Sequence, residues 1–222
     1  NSVQVAEIGK GQILLGKLND LLEAANIRRE TMFDKGLQCI RRVDGTTTTY
    51  FIANRGNESF DGYVPFETAV GAAVLYKPMN GEFGKAIVNV SSDKNEVYLQ
   101  LIPGESCLVQ IFENEIETVD YNYWKPAGEK DSLKTFWSLT FVTGGPGLPA
   151  PVKLDKPGLW NEFEGEAYKA FSGTAVYKTT FSKPNSDADA WLLDLGTVAH
   201  SACIKLNGKE IATLISAPFS VT

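Results

Sequence analysis

Histidine is nearly absent: His200 is the only one in 222 residues. A Ser/His/Asp arrangement would have to use it, yet no Gly-x-Ser-x-Gly turn accompanies it, so nucleophilic hydrolysis of that kind is excluded. A zinc site with a single imidazole would be unusual as well. Cysteine is equally sparse. Cys39, Cys107 and Cys203 are odd in number, far apart and outside any CxxC spacing, which speaks against both a disulfide framework and a cysteine-rich metal site. They read as small core-filling residues and leave the compartment undecided. Positive charge is short: 21 Lys and Arg stand against 27 Asp and Glu, for a net charge of −6. Basic clusters go no further than Arg28-Arg29 and Arg41-Arg42, so a nucleic-acid partner is not expected. No apolar run approaches the roughly 20 residues that span a bilayer. The first residues, NSVQVAEIGKG, lack the basic, apolar, small-residue order of a signal peptide, which would have to lie upstream. Gly9-Lys10-Gly11 precedes a strand rather than joining strand to helix, so it is not a phosphate loop.

What the chain does have is alternation. From Thr174 onward Ala175, Tyr177 and Phe181 point one way and Thr174, Lys178 and Thr180 the other, the period of a half-buried strand. Trp191, Leu193 and Leu195 share a face in a second run. A third, Ala202 to Leu206, ends at Asn207-Gly208, and Ile211 to Ile215 returns. Asn-Gly between two such runs predicts a two-residue hairpin, because both central residues need positive φ.

Taken in order, residues 1–36 differ from the rest. Gln12 to Leu15 is a short apolar strand, and Leu18, Leu21, Leu22 and Ala25 fall on one face of a helix from about Lys17 to Ala25. One strand and one helix cannot enclose a core, so this segment reads as the tail of an upstream α/β domain. From Leu37 the signals are all β: Gln38 to Arg42, the turn Asp44-Gly45 and Thr46 to Ala53 form a hairpin, and looser alternation follows from Phe66 to Tyr76. Ile87 to Val90, Glu96 to Leu101 and Cys107 to Phe112 complete about seven strands, with turn signals at the spacing a sandwich requires. Glycines and prolines from Gly144 to Gly158 mark a long irregular connection, with no apolar helix after it to suggest nucleotide binding. The expected fold class is therefore mainly β: two consecutive antiparallel β-sandwiches over 37–118 and 119–222, preceded by the strand–helix remnant over 1–36.

Several stretches carry a family resemblance. Phe171-Ser172-Gly173-Thr174-Ala175 with Tyr177, Leu193-Asp194-Leu195-Gly196 with Val198, Leu206-Asn207-Gly208-Lys209 and Pro218-Phe219 resemble the sugar-binding-type β-sandwich of large glycoside hydrolases. The likeness is to the C-terminal part of family 106, the α-L-rhamnosidases, and more loosely to family 2. The stretches "GKG-I--G-L--LL" from Gly9 and "IRR-DG---YFIAN" from Ile40 are similar to the preceding parts of the same family. The resemblance implies a galactose-binding, jelly-roll-like second sandwich in a periplasmic or secreted glycoside hydrolase. It also implies that catalysis occurs on a separate barrel domain, which would be this region's partner, so no catalytic residue is expected here. Family members continue past Pro218-Phe219 into further strands. Either this chain is a fragment, or another chain supplies them.

Carboxylates are plentiful at Glu113, Glu115 and Glu117 and at Glu162, Glu164 and Glu166. Glycoside hydrolysis needs two of them facing each other across a sugar, whereas i, i+2, i+4 spacing in an extended run puts them side by side on a solvated face. Asp194, beside Gly196, suggests a turn or sheet-edge hydrogen bond. No metal site and no cofactor are indicated. Sandwiches of this shape often bind calcium, but nothing in the sequence points to it. The remaining candidates are loop aromatics, since sugar C–H faces stack on exposed rings. Trp124, Trp160, Tyr123 and Tyr168 are the candidate sugar-contacting residues, while Trp137, Trp191 and Phe171 are assigned to the core. Two readings follow: a non-catalytic accessory region supporting an absent barrel, or a stand-alone carbohydrate-binding module.

Overall fold

Alternating apolar residues decide where the chain closes on itself. The computed structural model describes residues 3–92, 94–185 and 187–222, and contacts divide it into two units. The first runs to Trp124 and includes Ser216–Pro218; the second comprises Lys125–Ile215 and Phe219–Thr222.

The first unit opens with a hairpin, β1 (Gln4–Ile8) and β2 (Gly11–Leu15), and the helix α1 (Leu18–Ala24). The strand and helix foreseen here are present, and β1 adds a partner strand that the sequence reading missed. No residue of these three elements is buried, and Leu18 is 67% exposed, so the leucine face of α1 does not fill a core. A 3₁₀ turn, Thr31–Lys35, then carries Met32 into the sandwich core. The end of the first 36 residues is thus built into the sandwich rather than preceding it.

Eight strands follow: β3 (Leu37–Asp44), β4 (Thr47–Asn54), β5 (Phe60–Pro65), β6 (Ala72–Lys77), β7 (Glu82–Lys85), β8 (Val88–Ser91), β9 (Lys94–Leu101) and β10 (Ser106–Phe112). They form a five-stranded antiparallel sheet in the order β3-β4-β10-β6-β7 and a three-stranded one in the order β5-β9-β8. Cys107, Val109 and Ile111 of β10 and Val97, Leu99 and Leu101 of β9 are buried at every second position and meet Tyr50, Ile52, Val64 and Leu75 in one core. Opposite positions on β9 and β5 face outward.

The boundary expected after residue 118 falls instead between Trp124 and Lys125. The physical reason lies at β7. Asp120 bridges Lys85 in parallel; the Lys85 N–H donates to the Val119 carbonyl at 2.7 Å, and the Tyr121 N–H donates to the Lys85 carbonyl at 2.9 Å. Tyr121 enters the first core, with Tyr123 packed on it. The approach is so close that a Cβ on Gly84 would lie 2.6 Å from the Tyr121 backbone.

In the second unit β11 (Trp137–Gly145) is flanked by β12 (Val152–Leu154) and β13 (Ser172–Thr179). β14 (Leu193–Asp194) pairs with β17 (Ser220–Val221), and β15 (Ala202–Leu206) with β16 (Lys209–Leu214). The Asn207-Gly208 turn has φ of 51° and 82°, as its hairpin type demands. The core cluster of this unit is Leu139, Phe141 and Phe171, with Leu154, Trp160, Phe163, Tyr168 and Tyr177 packed around them. Phe171 therefore fills the core as expected and Trp137 is half-buried. Trp191 does not: the run from Trp191 contracts to a two-residue strand, leaving its indole exposed with the Lys183 ammonium 4.5 Å from the ring centroid.

Candidate functional site

The four aromatics proposed for sugar contact fall two in each unit, Tyr123 and Trp124 in the first, Trp160 and Tyr168 in the second. Trp160 begins a 3₁₀ turn, Trp160–Glu162. Its indole N–H donates to the Phe171 carbonyl at 3.3 Å, and its ring stands edge-on to Phe141 at 6.0 Å. Tyr168 lies on α2 (Glu166–Ala170), with its hydroxyl donating to the Ala150 carbonyl at 3.1 Å and its ring 5.7 Å from Phe141. Both serve the second core.

Tyr123 is likewise committed. Its hydroxyl accepts the Ile87 N–H at 3.2 Å and donates to the Tyr98 carbonyl at 2.9 Å, while burial pushes the phenol far above its ordinary range. Trp124 differs. Gln100 clasps its backbone from both sides: the amide nitrogen donates to the Trp124 carbonyl and the amide oxygen accepts the Trp124 N–H, each at 2.8 Å. The residue stays 42% exposed.

Gln100 leads to residues that sequence reading did not single out. It lies on the outward face of β9 with Tyr98 and Glu96, opposite Asp61, Tyr63 and Pro65 of β5 in register. Tyr63 and Tyr98 meet edge to face at 5.3 Å, and Tyr98 packs the same way on Tyr123 at 5.0 Å. Asp61 accepts a hydrogen bond from the Tyr98 hydroxyl and another from the Gln100 amide at 3.2 Å. That carboxylate holds the Tyr98 phenol above its ordinary pKa. Asn89 of β8 donates to Glu96 at 2.8 Å. The strand alternation that hid Val97, Leu99 and Leu101 would have exposed these residues, had β5 been recognised.

Two polar groups inside the first unit are structural. The buried Glu30 carboxylate accepts from the Tyr50 hydroxyl at 2.8 Å and from Arg41 at 3.0 Å, and its other oxygen takes the Glu67 N–H at 3.3 Å. Lys77 pairs with Glu105 at 2.6 Å. Burial opposes the Lys77 charge, but the Glu105 hydrogen bond and charge outweigh it and raise the pKa. Beside them burial pushes the Cys107 thiol up to about 12, an inert core residue.

The six glutamates weighed for catalysis are all exposed. His200 is exposed too, on a positive φ of 76°. Asp194 makes a turn bond, accepting the Gly196 N–H at 2.8 Å, and pairs with Lys130. Among the described residues no group of three or more His, Cys, Asp or Glu is placed to hold a metal, and no helix is long and apolar enough to cross a membrane.

The chain matches no protein-family model. Over 74 residues, 31% of the chain, it is 43% identical to a protein of Formosa agariphila that carries the provisional name beta-glucuronidase. Its fold follows a rhamnosidase from Novosphingobium sp. PP1Y over 97% of its length, with a TM-score of 0.63 and 22% sequence identity. It spans 6% of the first protein and 21% of the second. The chain thus has the fold of a segment of one glycoside hydrolase and resembles in sequence a stretch of a protein named as another.

Proposed function

We propose that these residues are a non-catalytic accessory β-sandwich region of a large glycoside hydrolase of the α-L-rhamnosidase type, packing on a catalytic barrel. The observation that carries this reading is the fold likeness along nearly the whole chain to one fifth of a rhamnosidase. The residues agree with it. The carboxylates weighed for hydrolysis are exposed, with Glu115 paired to Lys85 and Glu166 to Lys169, and none of the described hydrogen bonds joins His200 to a nucleophile. The hairpin and helix at the start expose Val5, Ile8, Ile13, Leu15 and Leu18, a concentration of apolar surface that a further domain would cover. On this reading the chain works outside the cytoplasm, in the periplasm or secreted.

The purified 222-residue chain should release no chromophore from aryl α-L-rhamnosides or aryl β-glucuronides. Turnover that survives further purification and follows the protein would overturn the reading. The alternative, a carbohydrate-binding module, draws support from one of its four proposed residues, the exposed Trp124.

A further inference from the structure

We infer that the outer face of the three-stranded sheet β5-β9-β8 is a binding platform for a neutral saccharide, built from Tyr63, Tyr98 and Trp124 as apolar surfaces and Asp61 and Glu96 as polar contacts, with Gln100 holding Asp61 and Trp124 in place. The inference does not rest on the accessory reading; it holds whether or not the chain serves a hydrolase.

Register assembles the platform. Asp61 stands opposite Gln100, Tyr63 opposite Tyr98 and Pro65 opposite Glu96, all on the face turned away from the core. The rows are therefore polar, aromatic and polar along about 13 Å of strand, from Gln100 to Glu96, long enough for a disaccharide. Trp124 borders the Gln100 end through its clasped backbone. Tyr63 keeps 37% of its surface in solvent.

The chemistry selects the ligand class. A pyranose offers a C–H face to aromatic rings and a rim of hydroxyls to hydrogen-bonding groups. Asp61 already accepts one hydrogen bond at each oxygen, and each oxygen has a further lone pair for a sugar hydroxyl. Those same bonds fix its orientation, as the Asn89 bond fixes that of Glu96. The platform is thus ordered before a ligand arrives, which lowers the cost of binding. Charge favours a neutral sugar over a uronate: Asp61 and Glu96 are two carboxylates, against the single ammonium of Lys35, which bonds the Tyr63 backbone carbonyl at 2.9 Å. An aromatic face interrupted by fixed carboxylates suits hydroxyl donors better than an apolar protein surface, under which two charged groups would be desolvated with their remaining lone pairs unmet. The face is open, so affinity should be millimolar.

The test is titration of the 15N-labelled 222-residue chain with methyl α-L-rhamnopyranoside, methyl α-D-glucopyranoside, cellobiose and sodium glucuronate. At least one neutral probe should shift amide signals of β5 and β9 and the Trp124 indole signal, and glucuronate should bind more weakly. Trp124→Ala and Tyr63→Ala should each weaken binding by about fivefold or more, the scale of one aromatic contact. Trp160→Phe should leave it unchanged. Asp61→Asn keeps the shape of the side chain and carries the test should Tyr63→Ala not fold. Absence of shifts with every neutral probe at high millimolar concentration overturns the inference. So do shifts elsewhere, shifts indifferent to both Trp124→Ala and Asp61→Asn, or tighter binding of glucuronate. Failure here leaves the hydrolysis assay untouched, so the two conclusions fall separately.

Discussion

Gly84→Ala is the sharpest probe of how the first unit is assembled. The backbone at Gly84 is not in the left-handed region, so alanine can adopt its conformation, and any cost comes from space alone. A Cβ there would lie 2.6 Å from both the backbone nitrogen and the Cα of Tyr121, atoms that no rotamer change can move aside. The segment from Val119 to Tyr121 must therefore retreat from β7. Two backbone hydrogen bonds go with it, those of Lys85 N–H to Val119 and Tyr121 N–H to Lys85, each worth about 0.5–1.5 kcal/mol. Partial loss of Tyr121 burial adds roughly 1–2 kcal/mol, less than the full value of a buried aromatic. The sum, about 2–5 kcal/mol, is a large share of the stability of an ordinary domain. Hydrogen–deuterium exchange resolved by peptide is the suitable assay, because it reports the two units separately. Protection should fall in peptides from β6, β7 and β10 and stay constant in those from β11 and β13. Unchanged protection around β7, or an equal loss in both units, would refute the assignment of residues 119–124 to the first core.

Tyr50→Phe removes one donor from the buried Glu30 carboxylate and one partner from Thr68, and should lower stability by about 1–3 kcal/mol, read as the urea midpoint of the first unit. Phe141→Ala opens the small core formed with Leu139 and Phe171 and should cost roughly 3–5 kcal/mol, seen as lost exchange protection in β11 and β13 with the first unit intact. The Asp194 carboxyl is held below its ordinary pKa, first by the Lys130 hydrogen bond and then by the Gly196 N–H. Its ionised form therefore stabilises the fold above the ordinary value of 3.8, and that contribution disappears as pH falls through the lowered folded value. Protection of β14 and β17 should drop on acidification, and Asp194→Asn should remove that part of the pH dependence.

Local periodicity made β3, β4, β8, β9, β10, β13, β15 and β16 legible, because each alternates strongly or ends in a recognisable turn. The missed strands lack that signal. β5 contains Gly62 and ends at Pro65, and β7 is four residues long with Gly84 inside it. β7 is a short hairpin return onto β6, whereas β5 depends on β9, a partner far away in the chain. The same reason hid most of the candidate platform: Asp61 and Tyr63 share a face with Tyr98 and Gln100 only once β5 and β9 are paired. Aromatics between the strands were visible as a class, but such a ring can turn inward, as Tyr123 does from a loop, Trp160 from a 3₁₀ turn and Tyr168 from α2. Trp124 is instead held by its backbone through Gln100 and remains exposed.

The strand order β3-β4-β10-β6-β7 has a consequence for how the protein is made. Its central strand, Ser106–Phe112, is the last of the five to leave the ribosome. Until then the sheet exists as two separate hairpins, β3 with β4 and β6 with β7, whose inner edges have no partner. Those edges, Thr47–Asn54 and Ala72–Lys77, hold Tyr50, Ile52 and Leu75, later among the most buried residues of the unit. Joining them closes loops of some tens of residues, a slow step compared with forming either hairpin. The nascent chain is thus most exposed to aggregation just before residue 112 appears, and loses that vulnerability in a single insertion.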